Sequence, residues 1–164
     1  MYNSRMAFEL SSPAFGEQGI IPAKYTCDGN RELSPPLLIS GVPDGTETLV
    51  LIMDDPDIPL FAKEARAIEA FDHWVLYNIP VDTKEIPEGT APGVSGLNTT
   101  GNTGYVGPCP PPQYEPKEHR YMFVLYALSE RLEFASPPTK QQVLDALKPI
   151  TLATAKLKGR YSRA

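Results

Sequence analysis

Proline is the residue that most limits what this chain can fold into, because 18 of its 164 residues are proline. Proline fixes φ and lacks a backbone N–H, so it interrupts both helices and sheet interiors. This content disfavours an all-helical protein and favours short strands joined by stiff loops. The densest stretch is residues 107–121 (GPCPPPQYEPKEHRY), which ends with His119, Arg120 and Tyr121 at the start of an apolar run.

Three segments have the composition of strands, because they are rich in aliphatic and aromatic residues. They are residues 47–53 (ETLVLIM), 73–79 (HWVLYNI) and 120–128 (RYMFVLYAL). The first contains five consecutive apolar residues, a pattern typical of a strand covered on both faces. Weaker strand candidates are residues 20–26 and 37–40.

Helical signals are shorter and lie outside these strands. Residues 61–71 (FAKEARAIEAF) are mostly strong helix formers with apolar residues spaced for one stripe. Residues 139–142 (TKQQ) match a capping box, and Pro149 suits the first turn of a second helix that would include Ala153 and Leu157. We therefore predict one mainly β domain over residues 1–164, an antiparallel β core with short peripheral helices, two of them near the C-terminus.

Charge and hydropathy argue against two classes of partner. The formal net charge is −5 and no basic block exceeds two residues, so a nucleic-acid interface is not expected. No apolar run approaches the roughly 18 residues of a transmembrane helix. The first residues (MYNSRMAFELSS) lack the apolar region of a signal peptide, which predicts a cytoplasmic protein.

The two cysteines, Cys27 and Cys109, are too far apart for a CxxC metal or redox motif. In a reducing cytosol two free thiols are expected, and a disulfide between them is the alternative. Two histidines plus a carboxylate can bind iron or zinc, but none of the close spacings of such sites is present. We therefore predict no metal and no cofactor.

Titratable residues lie at three predicted strand boundaries. Asp55 and Asp57 follow the first strand, His73 begins the second, and His119 and Tyr121 begin the third. Asp55 and Asp57 are two residues apart, so they face the same side if the strand continues. An Asp-Pro turn or a strand-end histidine is often only structural. If the three boundaries are neighbours, however, they form one small polar cavity.

Four motifs follow one another along the chain, namely residues 55–59 (DPDIP), 73–80 (HWVLYNIP), 107–111 (GPCPP) and 119–121 (HRY). In this order they resemble the phosphatidylethanolamine-binding protein family. Residues 25–29 (YTCDG), 34–37 (SPPL) and 155–161 (AKLKGRY) are similar to the prokaryotic branch in particular.

The resemblance implies a Greek-key β-sandwich with a small pocket for phosphate or the phosphoryl head of phosphoethanolamine. Its ligand-binding residues would be Asp55, Asp57, Pro59, His73, Gly107, Pro111, His119 and Tyr121. Arg120 would point to the opposite face and pair with an acidic loop residue.

The same resemblance allows a protein target, because family members include inhibitors of serine proteases and of kinases. The acidic, proline-containing segment 113–118, here called the lip, is then a candidate recognition loop. No catalysis is expected, since residues 93–97 (GVSGL) lack the second glycine of a nucleophile elbow. A homodimer is compatible with the sequence.

Overall fold

The structure, a computed structural model, describes residues 6–164. In this part of the chain nine strands and two α-helices form, with short 3-10 helices at Ala23–Tyr25 and Lys148–Ile150. The strands are β1 (Glu9–Ser11), β2 (Gly19–Ile20), β3 (Leu37–Ser40), β4 (Thr48–Asp55), β5 (Phe71–Pro80), β6 (Glu85–Ile86), β7 (Val94–Ser95), β8 (His119–Leu128) and β9 (Thr151–Tyr161). The helices are α1 (Leu60–Arg66) and α2 (Lys140–Leu147).

The strands form two sheets. The larger sheet has the order β2-β9-β8-β4-β5-β7, and the smaller has the order β1-β3-β6. All pairs are antiparallel except β2 with β9. After β5 the chain returns by a long connection to place β8 beside β4, as expected in a Greek key. The predicted mainly β sandwich is therefore confirmed.

Strand β4 lies at the centre of the larger sheet and is buried on both faces. Leu49, Leu51 and Met53 belong to the core that is shared with the smaller sheet. Val50 and Ile52 face the opposite way, into a second core that includes Val143 and Leu147 of α2. The prediction of a strand covered on both faces is confirmed, because one face is covered by a sheet and the other by a helix.

Helix α1 is shorter than predicted. It ends at Arg66, Ala67 has a left-handed conformation (φ 53°), and Phe71 is already part of β5. The expected apolar stripe is not buried, and Phe61 is 54% exposed. The prediction of a helix through residue 71 is wrong because pairing with β4 determines the structure at Phe71 more strongly than local helix propensity does.

The C-terminal region contains the two predicted short helices, but the second ends early. Thr139 and Gln142 form the predicted capping box of α2, and Pro149 lies in the 3-10 helix. The prediction that this helix continues through Ala153 and Leu157 is wrong, since both residues lie in β9. Alternation of apolar and charged residues in AKLKGRY has a two-residue period, and it matches the long pairing of β9 with β8.

Of the two weaker strand candidates, only residues 37–40 form the expected strand, which is β3. In segment 20–26 the extended structure stops at Ile20, and a 3-10 helix follows. Among residues 6–164 no helix is both long and apolar enough to cross a membrane.

Cys27 and Cys109 form a disulfide, so the expectation of two free thiols is wrong. Folding brings their Cα atoms within 5.4 Å across 82 positions of sequence. The backbone N–H of Cys27 also donates to the carbonyl of Pro108 at 3.0 Å. The bond therefore joins the loop near residue 27 to the proline-rich segment. Disulfides persist mainly in oxidising compartments, so this bond does not support the predicted cytoplasmic location, which stays a prediction.

Replacing both Cys27 and Cys109 by serine should lower the free energy of unfolding by about 2–4 kcal/mol, because the unfolded chain regains the freedom of a long closed loop. Urea unfolding followed by circular dichroism, with and without a reducing agent, measures the loss. The control is a thiol assay on denatured, unreduced wild type, which should find no free thiol. Free thiols in that assay together with an unchanged unfolding midpoint would contradict the bond.

Candidate functional site

Strand order brings the three polar strand boundaries together. Strands β5 and β8 flank β4 and run antiparallel to it, so the end of β4 lies beside the beginnings of both. Asp55 ends β4, His73 lies near the start of β5, and His119 starts β8. All three side chains are almost fully buried.

A β-bulge at His73 directs this side chain to the site. Met53 pairs with Trp74 and Asp54 pairs with Asp72, which leaves His73 without a partner on β4. Trp74 lies in the core shared with the smaller sheet, and the His73 ring contacts Tyr121 of the same core, 5.3 Å between ring centroids. Two consecutive residues thus share one face, which regular alternation would forbid.

The same bulge sends Asp72 to the opposite face. There its carboxylate forms an ion pair with Lys140 of α2, with 2.7 Å between Oδ1 and Nζ. The same Nζ lies 3.1 Å from Oδ2 of Asp54. The bulge therefore separates the carboxylate of Asp72, which holds α2, from the imidazole of His73, which faces the candidate site.

These residues enclose a cavity of about 80 Å³. That volume is enough for several water molecules or one small polyatomic anion, and far below the roughly 300–1,000 Å³ of sites for drug-sized ligands. A larger groove of about 390 Å³ lies at the edge of the smaller sheet, but its lining contains no histidine. The smaller cavity is lined by Arg31, Asp55, Ile58, Phe71, His73, Gly107, Cys109, Pro110, Pro111 and His119.

Not all of the predicted residues reach this cavity. The lining includes five of them, namely Asp55, His73, Gly107, Pro111 and His119. The structure places Asp57, Pro59 and Tyr121 outside the lining. Arg31, Ile58, Phe71, Cys109 and Pro110 line the cavity but were not predicted. Cys109 and Pro110 lie inside the motif GPCPP, whereas nothing in the sequence around Arg31 indicates a site.

Asp57 lies outside the cavity because it binds Arg120. Its carboxylate accepts hydrogen bonds from the Arg120 backbone N–H, Nε and Nη2, each at 2.8 Å. These bonds hold the pKa of Asp57 below its ordinary value. Strand β4 ends at Asp55, so the alternation that would place Asp57 beside it does not continue. Arg120 pairs with an acidic loop residue, as predicted.

Tyr121 packs against both histidines of the site without lining the cavity. Its side chain is fully buried, and its ring contacts both histidines, with centroids 5.3 Å from His73 and 6.4 Å from His119. Burial raises the pKa of its phenol well above the ordinary value, so the hydroxyl stays protonated. That hydroxyl has no hydrogen-bond partner within residues 6–164.

Asp55 and His119 form a buried acid–base pair. The Asp55 Oδ2 atom lies 2.6 Å from His119 Nδ1, and Asp55 Oδ1 accepts the Asp57 backbone N–H at 2.8 Å. A carboxylate accepts hydrogen bonds, so Nδ1 of His119 carries a proton. The other ring nitrogen, Nε2, is buried and finds no partner in the described part of the chain.

His73 is held in a different state. Its Nδ1 donates to the carbonyl oxygen of Val106 at 2.6 Å, because a carbonyl can only accept. Burial lowers the pKa of His73 to about 4, so the ring is neutral at pH 7 and Nε2 keeps its lone pair. The two histidines are therefore not equivalent, and His73 is not a cation at neutral pH.

Gly107 fits where no larger residue would. A Cβ atom there would lie 2.5 Å from the Tyr25 carbonyl oxygen, and the Gly107 N–H donates to the carbonyl of Arg31 at 2.7 Å. This N–H is therefore not free to bind a ligand. Among the described residues no group of three or more His, Cys, Asp or Glu side chains is arranged to hold a metal ion.

Comparison with known proteins gives one family. The family model for "Phosphatidylethanolamine-binding protein" matches residues 11–162. A UPF0098 protein from Methanothermobacter thermautotrophicus is 42% identical over 161 residues, which cover 94% of this chain and 98% of that protein.

Two solved structures have the same fold. A phosphatidylethanolamine-binding protein homologue from Chlamydia trachomatis is 40% identical with a TM-score of 0.87, over 96% of this chain and 99% of the other. YbcL from Escherichia coli is 27% identical with a TM-score of 0.82, over 97% and 100% of the two chains.

The state of His73 leads to a pH prediction. Its pKa of about 4 lies below the ordinary value of 6.5, so the unfolded chain binds this proton more readily than the folded protein does. Stability from this group is complete above pH 6.5 and decreases as pH falls toward 4, by about 3 kcal/mol in all.

The direct measurement is an NMR titration of the His73 Cε1–H signal, assigned by its absence from the His73→Asn variant. The expected midpoint is near 4. A midpoint near 6.5 would show that the ring is solvated and would remove the argument for a neutral His73.

Proposed function

This chain belongs to the phosphatidylethanolamine-binding protein family, and from that premise we propose that it binds a small phosphorylated anion without altering it. Inorganic phosphate and a phosphoethanolamine-like head group are the ligands considered. One observation carries the proposal. The Nε2 atom of His119 is buried with no partner in the described residues, while Asp55 holds the other side of the ring.

A bound phosphoryl group would satisfy this nitrogen. When His119 is protonated, Nε2–H donates a charge-assisted hydrogen bond to a phosphate oxygen, the stronger type of hydrogen bond. The carboxylate of Asp55, 2.6 Å from Nδ1, stabilises the resulting imidazolium. In this role Asp55 positions the His119 ring, and it does not contact the anion.

The neutral His73 complements this donor with an acceptor. Its free Nε2 can accept a hydrogen bond from a P–OH group or from the ammonium of an ethanolamine substituent. The site therefore offers a donor for a phosphoryl oxygen on one side and an acceptor for a substituent of the ligand on the other. The volume of about 80 Å³ limits the enclosed part of the ligand to the phosphoryl group.

We propose binding without catalysis because the cavity lining contains no hydroxyl or free thiol nucleophile. It includes no serine or threonine, and the sulfur of Cys109 is in a disulfide. The prolines Pro110 and Pro111 keep this wall in place, which reduces the ordering cost of binding.

Inhibition of a protease or kinase is a second candidate function. One feature favours it: Phe61 of α1 and Tyr114 of the lip are both exposed, and their rings contact each other at 4.8 Å between centroids. Exposed, pre-ordered aromatic pairs are typical anchors of protein interfaces. Assays against chymotrypsin-like and elastase-like proteases, with Tyr114→Ala as the variant, test this function. Equal inhibition by wild type and variant would show that the lip does not contribute to inhibition.

The binding proposal predicts that the His119→Gln substitution weakens phosphate and phosphoethanolamine binding by about 10- to 100-fold, since it removes one charge-assisted hydrogen bond. Asp55→Asn should also weaken binding, because the imidazolium loses its counter-charge. Isothermal titration calorimetry at matched ionic strength measures both effects.

Circular dichroism melts are the control that both variants fold. If wild type binds neither compound, the proposed function is wrong and the protein-target function becomes the one to test. If wild type binds and His119→Gln binds equally, the anion lies elsewhere.

A further inference from the structure

We propose that Arg31 supplies the net positive charge of this cavity and thereby makes it selective for phosphate monoesters over phosphate diesters. The inference rests on the proposed function, because it names the ligand class of the same site. A monoester carries close to two negative charges at pH 7.5, with a second pKa near 6, whereas a diester carries one.

Taken together, the lining residues other than Arg31 have no net positive charge to attract an anion. Asp55 and a protonated His119 form a pair whose charges cancel. His73 is neutral at pH 7, as its buried position and its bond to Val106 require. The rest of the lining, apart from Arg31, has no ionisable group. Without Arg31 the enclosed groups therefore have a net charge of zero or below.

The guanidinium of Arg31 is available for a ligand. Arg31 is an exposed residue that lines the cavity, and its guanidinium forms no hydrogen bond or ion pair with any residue in the range 6–164. By contrast, Arg120, Arg160 and Arg163 all form ion pairs with carboxylates. Arg31 is close enough to His73 to lower the pKa of that ring further, which agrees with its position at the cavity.

The backbone at Arg31 is fixed even though its side chain is not. The Arg31 carbonyl accepts the Gly107 N–H at 2.7 Å, and the loop that carries it is joined to the proline-rich segment by the Cys27–Cys109 disulfide. Asn30 adds a turn, since its Oδ1 accepts the backbone N–H of Glu32 at 3.0 Å. The guanidinium therefore starts from a fixed point on the cavity wall, and its planar fork can bind two phosphate oxygens at once.

The test compares two probes of similar size, methyl phosphate and dimethyl phosphate, by calorimetry at pH 7.5 and constant ionic strength. Arg31→Gln should weaken methyl phosphate binding by about 100-fold and dimethyl phosphate binding by only about 10-fold, because the Coulomb energy scales with ligand charge. Arg31→Lys should recover part of this loss, since it keeps the charge but not the fork.

The matched control is Arg131→Gln, which removes the same charge from an exposed residue just beyond the far end of β8. It should change binding of either probe by less than about 2-fold, because distant exposed charges are screened by salt. An equal loss in the Arg131 and Arg31 variants would overturn the proposal, since the effect would then come from overall charge.

The remaining outcomes separate this proposal from the proposed function. If wild type binds methyl phosphate, His119→Gln weakens binding and Arg31→Gln does not, the proposed function stands and the role of Arg31 is overturned. An equal fold-loss for the two probes in Arg31→Gln would overturn the selectivity. If wild type binds neither probe, both proposals fail.

Discussion

The antiparallel pairing of β4 with β5 on one side and β8 on the other is the constraint on which the rest of the structure depends. It buries both faces of β4, one under the smaller sheet and one under α2. It also determines where the polar groups meet, because the end of one strand must lie beside the beginnings of its antiparallel neighbours. The core and the candidate site therefore have a common origin.

Burial then decides what each titratable group can do. Asp55 can be buried because it accepts bonds from both His119 and the Asp57 backbone. His73 stays neutral, since burial disfavours its charged form and its ring Nδ1 donates to a carbonyl oxygen. The two histidines come from similar places in the sequence, but one is paired with a carboxylate and the other with a backbone oxygen. This difference gives the cavity one potential donor and one acceptor.

The errors in predicting where elements end have one physical cause. Residues 61–71 and the segment after Pro149 both have acceptable helical spacing, and in both cases long-range strand pairing determined the structure of the final part. Asp57 was expected beside Asp55 because strand alternation was extended beyond the strand. The chain instead turns there, and the Asp57 carboxylate accepts a hydrogen bond from Arg120. Local patterns identified the elements but not where each one ends.

The sequence by itself determined the main strands, the capping box of α2 and the placement of Asp55, His73 and His119 at strand boundaries, because these depend on residue type and short spacing. Motif resemblance added the family. Only the tertiary structure decided that β4 lies between β5 and β8, that a bulge turns His73 toward the cavity, and that Cys27 bonds Cys109. Arg31 reaches the site for the same reason, since these features depend on contacts between residues that are far apart in the chain.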